Sequence, residues 1–346
     1  MNRVHVVLPP GVDDPTRPSG GNVYDRQVCR ALAARGWDVR EHAVPGRWPR
    51  PDAAARRRLQ EALAAVPDGE VVLLDGLVGS AVPEALEGES ARLRLVVLVH
   101  LPLGHQPADA AAPPREHRAL EAARAVVTTS RWTRNWLVAR YRLVPERVHI
   151  AQPGVDPAEP AAADPSGRRL LCAAAVCRNK GHDLLVEALA EVADLDWALV
   201  CVGSLTVDPA YVRGLRAALL HRGLGPRVSF AGPLGGEALH RAYAASDLLV
   251  LASRFETYGM VVAEALGYGV PVLATDVGGV GEALGGGGVT VPADDPRALA
   301  AALRSWLANP PVRQRLRAAA LDRRASLRPW ADTAGCIAQV LVGAQS

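Results

Sequence analysis

Lysine is almost missing from this chain. Of its 39 lysines and arginines in 346 residues, Lys180 is the single lysine. Arginine replaces lysine freely on solvated faces, but not where a compact ammonium on a flexible stem must meet a phosphate. Other shortages exclude whole classes. Aromatic residues make up only 4% of the chain, so its cores must be built from Ala, Val and Leu. A net charge of +3 is too small to indicate a nucleic-acid partner. No apolar run reaches the length of a membrane span, and the run in "MNRVHVVLPPG" is too short for a secretory signal. The cysteines (Cys29, Cys172, Cys177, Cys201 and Cys336) include no CxxC pair, which predicts buried free thiols in a reducing compartment, the cytoplasm. No Gly-x-Ser-x-Gly or Ser-His-Asp arrangement offers a covalent hydrolase. No metal cluster stands out either: the acidic pair Asp294-Asp295 opens a helical pattern and reads as a cap.

What the chain does have is alternation. Short apolar runs ("VHVVLPP", "VVLLDG", "RLVVLVH", "AVVTTS" and "RVHIAQ", then "RRLLCAAAV", "WALVCVG", "RVSFAG", "DLLVLAS" and "PVLATD") alternate with helical patterns. Continuous apolar strands separated by helices predict an α/β fold with parallel sheets covered on both faces. Residues 152–169, "QPGVDPAEPAAADPSGRR", have linker composition, so two doubly wound domains facing across a cleft are expected. Ligands of such sheets sit beyond the carboxyl ends of the strands.

Those strand ends hold the chemistry. In "DLLVLASRFETYGMVVAEALGYGVPVLATDVGG" a strand ends near Ser253, a loop carries Glu256, and a helix starting near Gly259 carries Glu264. The free amides of Gly259, Met260 and Val261 form an anion site at the favourable end of the helix dipole. Two acids flanking it suit a ligand with phosphates and sugar hydroxyls. In the first half, Gly20-Gly21 follow the first strand and precede a helix that Asn22 is expected to cap, again an anion-friendly turn. The G-x-G-x-x-G dinucleotide spacing is missing there.

The segments "FETYGMVVAEALGYGVPV" and "CRNKGHDLLVEAL" resemble glycosyltransferase family 4, the retaining GT-B enzymes. The resemblance spans most of the chain and is most specific in its second half. It implies an N-terminal acceptor-side domain, residues 1–155, completed by a C-terminal helix at 328–346, and a nucleotide-sugar domain at 166–327. It also implies roles. Glu256 would contact the transferred sugar, Glu264 the ribose, and the amides of Gly259, Met260 and Val261 the sugar and diphosphate. Lys180 would meet the diphosphate. Arg178 would replace a second cation, because Ala174-Ala175 stand where relatives have Gly-Arg. Gly203-Ser204 and Gly232-Pro233 would approach the nucleotide through their backbones. Gly20 and Gly21 would lie beside the donor phosphates. His100 would contact donor sugar or acceptor, with His105, Ser130 and Asn22 on the acceptor side.

The expected partners are a UDP- or GDP-linked sugar and a hydroxyl-bearing acceptor, with no cofactor and no metal. Loops 10–20 and 101–116 would choose the acceptor. The basic run "RPDAAARRRLQEALAAV" suits a solvated helix face, with peripheral contact to anionic lipid as the alternative. The rival readings are another GT-B activity, an epimerase or phosphorylase, and a non-catalytic nucleotide-sugar binding protein.

Overall fold

Alternate residues of single strands belong to different cores. In a computed structural model of the chain, which describes residues 2–15, 18–105, 109–162 and 164–345, twelve strands form two all-parallel sheets. The first contains β1 (Arg3–Leu8), β2 (Asp38–Ala43), β3 (Val71–Asp75), β4 (Arg94–Val99), β5 (Ala125–Thr128) and β6 (Val148–Ile150), in spatial order β2-β1-β3-β4-β5-β6. The second contains β7 (Arg169–Ala173), β8 (Ala198–Val202), β9 (Val228–Gly232), β10 (Leu248–Leu251), β11 (Val272–Thr275) and β12 (Gly288–Val291), in order β12-β11-β10-β7-β8-β9.

In the second sheet, Leu170, Cys172, Leu248 and Val250 pack into one apolar cluster. Their neighbours Leu171, Ala173, Leu249 and Leu251 pack into another. Helices on both faces bury the central strands β7 and β10 apart from Arg169 at the start of β7, which explains their continuous apolar runs.

The chain divides into two compact units. One comprises Met1–Asp13, Ser19–Gly154 and Arg328–Ser346; the other comprises Asp14–Pro18 and Val155–Leu327. Within the first, the last helix (Trp330–Gln345) sets Trp330 edge-on to Tyr24 at 5.4 Å, and Thr333 Oγ1 donates to the Gln152 carbonyl at 2.7 Å.

Strand order locates the ligand side. In the first sheet the direction of winding reverses between β1 and β3, and in the second between β7 and β10. The crevices beyond the carboxyl ends at such reversals are where doubly wound sheets bind ligands. The loops after β7 and β10 carry Lys180 and Glu256.

The basic helix Ala53–Ala64 buries Ala55, Leu59 and Leu63, and Arg56 pairs with Glu84 at 2.6 Å. No helix among the described residues is long and apolar enough to cross a membrane.

Candidate functional site

In the second unit, the loop after β7 tightens into a 3-10 turn, Arg178–Lys180, closed by Gly181 at φ +64°. A Cβ on Gly181 would lie 1.9 Å from the Ala252 carbonyl at the end of β10, so only glycine lets the two loops meet. Two hydrogen bonds hold them together: Arg254 N donates to Asn179 O at 2.8 Å, and the Asn179 side-chain Nδ2 donates to Phe255 O at 3.2 Å. Lys180 Nζ thereby reaches Glu256 Oε1 at 2.6 Å, and the Ser253 hydroxyl donates to the same oxygen at 2.7 Å.

Arg254, which the sequence reading did not single out, braces this arrangement. It donates to both Asp183 oxygens at 2.9 Å, to Asp294 at 2.8 Å and to the Arg178 carbonyl at 2.7 Å. Burial works against ionisation of Asp183, but Arg254 and the Tyr211 hydroxyl overcome it and hold the carboxyl at about 2. Arg178 is exposed, its guanidinium 5.6 Å from the centre of the Tyr211 ring. The acidic pair at 294–295 divides its work. Asp295 caps its helix as expected, whereas Asp294 pairs with Arg254 instead of capping.

The helix after Glu256 runs Met260–Gly267, with Gly259 as its N-cap at φ +89°. The amides of Met260 and Val261 precede that of Val262, the first to find a helical acceptor (Gly259 O, 2.9 Å), and remain available to a ligand. One turn on, Glu264 accepts the buried Tyr243 hydroxyl at 2.6 Å, and Tyr243 stacks on Tyr268 at 5.3 Å. Burial raises the Glu264 pKa, with the Tyr243 hydrogen bond pulling the other way.

The ends of β8 and β9 are tied by a bond from Gly203 N to Gly232 O at 2.8 Å. A Cβ on Gly203 would fall 2.1 Å from the Ala174 carbonyl, so this glycine lets the β8 end pack against Ala174-Ala175. Ser204 is buried, its hydroxyl 3.1 Å from that of Thr206, whereas Pro233 is exposed.

In the first unit, His100 Nε2 lies 2.7 Å from Asp25 Oδ1 and 3.8 Å from Asp75 Oδ2. Both acids are 2% exposed, and neither was anticipated from sequence. Burial lifts Asp25 to about 7, against the hydrogen bond from Asp75 and the charge of Arg26. Burial also lifts Asp75 well above the carboxylate range, reinforced by Asp25. A hydrogen bond between two carboxyl groups requires a proton, so the pair holds at least one when that bond is made. Burial lowers the His100 pKa. The ligand-type atoms of this trio all lie within 4.8 Å of one another, the spacing a metal ion would need.

Gly21 packs against the His100 ring, which would stand 3.3 Å from a Cβ there. Gly20 and Gly21 lie inside the helix Gly20–Ala34, not ahead of it, and its N-cap is Ser19, whose Oγ accepts Asn22 N at 3.1 Å. Asn22 is therefore not the cap, because Ser19 is the residue with extended backbone; its amide reaches the Gly11 carbonyl at 3.4 Å.

Ser130 faces no open surface. It is fully buried, and its hydroxyl accepts Thr133 N at 3.0 Å as the N-cap of Arg131–Tyr141. His105 lies between Trp132 and Trp136, both edge-on at about 5.5 Å. Its loop is fixed by buried Glu116, which accepts Leu103 N, Gly104 N and the Tyr141 hydroxyl. Of the loops expected to choose the acceptor, residues 16–17 and 106–108 lie outside the described residues.

Two family models match the chain. The one described as Glycosyl transferases group 1 covers residues 167–309, and the one described as Glycosyltransferase Family 4 covers residues 42–159. A D-inositol 3-phosphate glycosyltransferase from Catenulispora acidiphila is 35% identical over 65% of this chain and 59% of its own length. Another from a Nocardioides species is 34% identical over 67% of this chain and 56% of its own. The match thus spans rather more than half the length of these relatives.

Among solved structures, a sucrose-phosphate synthase from Thermosynechococcus elongatus superposes with a TM-score of 0.80, covering 99% of both chains at 23% identity. HepE from Anabaena, solved with UDP and glucose, has a TM-score of 0.79 over 99% of this chain and 100% of its own, at 17% identity. At those identities the likeness speaks for the fold, which is GT-B. The two family models, one on each half, together with these sequence relatives, show that the chain belongs to glycosyltransferase family 4.

Proposed function

We propose that the chain is a retaining glycosyltransferase, moving a sugar from a UDP- or GDP-linked donor to a hydroxyl on a small molecule, lipid or glycan. The observation that carries this reading is the meeting of Lys180 and Glu256 at the winding reversal of the second sheet, ahead of a helix with free leading amides. Negative charge builds on a departing diphosphate in the transition state. A cation and amides already held in place by the Gly181 and Arg254 contacts stabilise that charge without reorganising, which is usually the largest catalytic contribution. Arg178 adds a second cation from the same turn.

Glu264 supplies a carboxylate for ribose hydroxyls, oriented by Tyr243. Glu256 is paired with Lys180 and Ser253, which suits a group that orients the transferred sugar better than one that attacks it. The departing phosphate then helps deprotonate the acceptor on the same face of the sugar. The relatives' names, and the UDP and glucose in the HepE structure, are compatible with such a donor and with a hydroxyl-bearing small acceptor. No metal is assigned a part in this scheme.

The test is a thermal-shift screen of UDP- and GDP-sugars, followed by turnover of a mass-tagged donor in EDTA. Transfer with retained anomeric configuration is expected. Binding without turnover would favour a sugar-nucleotide binding protein, and activity that chelation abolishes and Mn²⁺ restores would overturn the metal-free scheme.

A further inference from the structure

The connections that follow β2 and β4, with the start of the next helix, line an open pocket of about 480 Å³ within the first unit, bordered by Arg47, Arg50, Arg115, Asp109, Trp48 and Leu103. Pockets of this size suit a small organic ligand. Both connections leave the carboxyl edge of their sheet, the side on which such folds bind ligands.

The pocket gathers three guanidiniums, whereas arginines such as Arg26, with Asp13 and Glu41, and Arg92, with Asp68 and Glu89, are matched by acids. Here Arg115 Nη2 meets Asp109 at 2.6 Å, and that hydrogen bond is the main cause of the lowered Asp109 pKa, with a smaller pull from Arg50. Among the described residues no carboxylate pairs with Arg47 or Arg50. Three guanidiniums against one carboxylate leave a surplus of two positive charges in one concavity. A phosphate monoester carries about −1.5 to −2 at neutral pH, and the planar fork of arginine matches its oxygens.

The remaining wall is apolar. Leu103 is buried, and Trp48 has committed its only donor, Nε1, to the Val44 carbonyl at 2.8 Å, so its ring offers a flat carbon face. Such a wall suits the carbon skeleton bearing the phosphate.

We propose that this pocket binds a phosphate monoester borne by the acceptor. The word acceptor rests on the transferase reading; the phosphate site does not.

Phenyl phosphate is the probe, titrated by calorimetry with and without UDP, with phenol as the uncharged control. One phenyl phosphate per chain is expected to bind in the presence of UDP, and phenol is not. The double variant R47A/R50A should weaken phenyl phosphate by about tenfold or more, since each guanidinium lost removes charge-assisted bonds. Both side chains are exposed, so the variant should melt with the native protein and keep its UDP affinity.

Equal phenyl phosphate affinity in native and variant protein would overturn the proposal, as would an absence of binding. If UDP still binds in that case, the transferase reading stands without this pocket. If phenyl phosphate binds through Arg47 and Arg50 but no nucleotide binds anywhere, the pocket stands and its acceptor role falls.

Discussion

Lys180 Nζ and Glu256 Oε1 lie 2.6 Å apart, joined across 76 residues of chain, and Ser253 donates to the same carboxylate oxygen. The one ammonium of the chain is thus held by an acid before any ligand arrives, so the two residues act as a coupled unit. Lys180→Ala should reduce transfer by about a hundredfold, the scale for losing one charge-stabilising donor in a preorganised site. Glu256→Gln should also reduce transfer. The double variant should lose much less than the product of the two effects, because residues in direct contact are not independent. A double-mutant cycle on turnover checks this, and simple additivity would show that the pair is not a functional unit.

Lys180→Arg separates charge from shape. The guanidinium keeps the charge but brings a broad plane to a place where one carboxylate oxygen is already shared with Ser253. Only part of the activity should return. Full turnover in this variant would mean that charge alone matters here, and full turnover in Lys180→Ala would make the lysine incidental.

The two acids should differ toward nucleotide alone. Glu264→Gln is expected to weaken UDP or GDP roughly tenfold, the worth of one hydrogen bond to a charged group. Tyr243→Phe should have a smaller effect in the same direction, since Tyr243 orients Glu264 without replacing it. Glu256→Gln should leave free-nucleotide affinity nearly unchanged. Calorimetry showing equal losses for both glutamates would end this division of roles.

The buried acid pair predicts a pH dependence of stability. Asp25 titrates at about 7 in the folded chain, above the ordinary carboxylate value, so the folded state holds a proton that the unfolded state has lost. Its contribution is fully present below about pH 4 and is lost as pH rises toward 7; Asp75 shifts in the same direction. Asparagine cannot ionise, so the melting temperature of Asp25→Asn relative to the native protein should climb between pH 5 and pH 8. His100, whose pKa burial lowers, trends the opposite way and contacts Asp25, so the comparison is made in a His100→Gln background. A gap that stays constant across that range would show that Asp25 does not carry the buried proton.

Ten strands could be read from the sequence, most plainly the central ones, where burial on both faces leaves an unbroken apolar run, as in "RLVVLV" of β4. β2 and β12 could not. They are the outermost strands at one edge of each sheet, and "DVREHA" of β2 is half-exposed along most of its length, with charged residues in the middle. Hydrophobic pattern reports burial, and β2 and β12 are buried too little to leave the signal, whereas the opposite edge strands β6 and β9 keep enough apolar residues, in "VHI" and "VSFAG", to be read.

The chemistry divides in the same way. Residue type and local spacing were enough to single out Lys180, Glu256 and Glu264, because helix starts and strand ends are local events. Partnership is not local. That Lys180 closes on Glu256, that Arg254 braces both loops through Asp183, and that Asp25 and Asp75 lie buried beside His100 follow from strand order and loop approach across 71 to 76 residues in the second unit and up to 75 in the first. The hydroxyl of Ser130 and the amide of Asn22 offered the same donors and acceptors in sequence as any site residue would. Only the fold, by burying one as a cap and giving the other's expected cap to Ser19, decided what those groups bond. A side chain's chemistry belongs to the residue, but its free lone pairs and protons are what remain after the tertiary structure has used the rest.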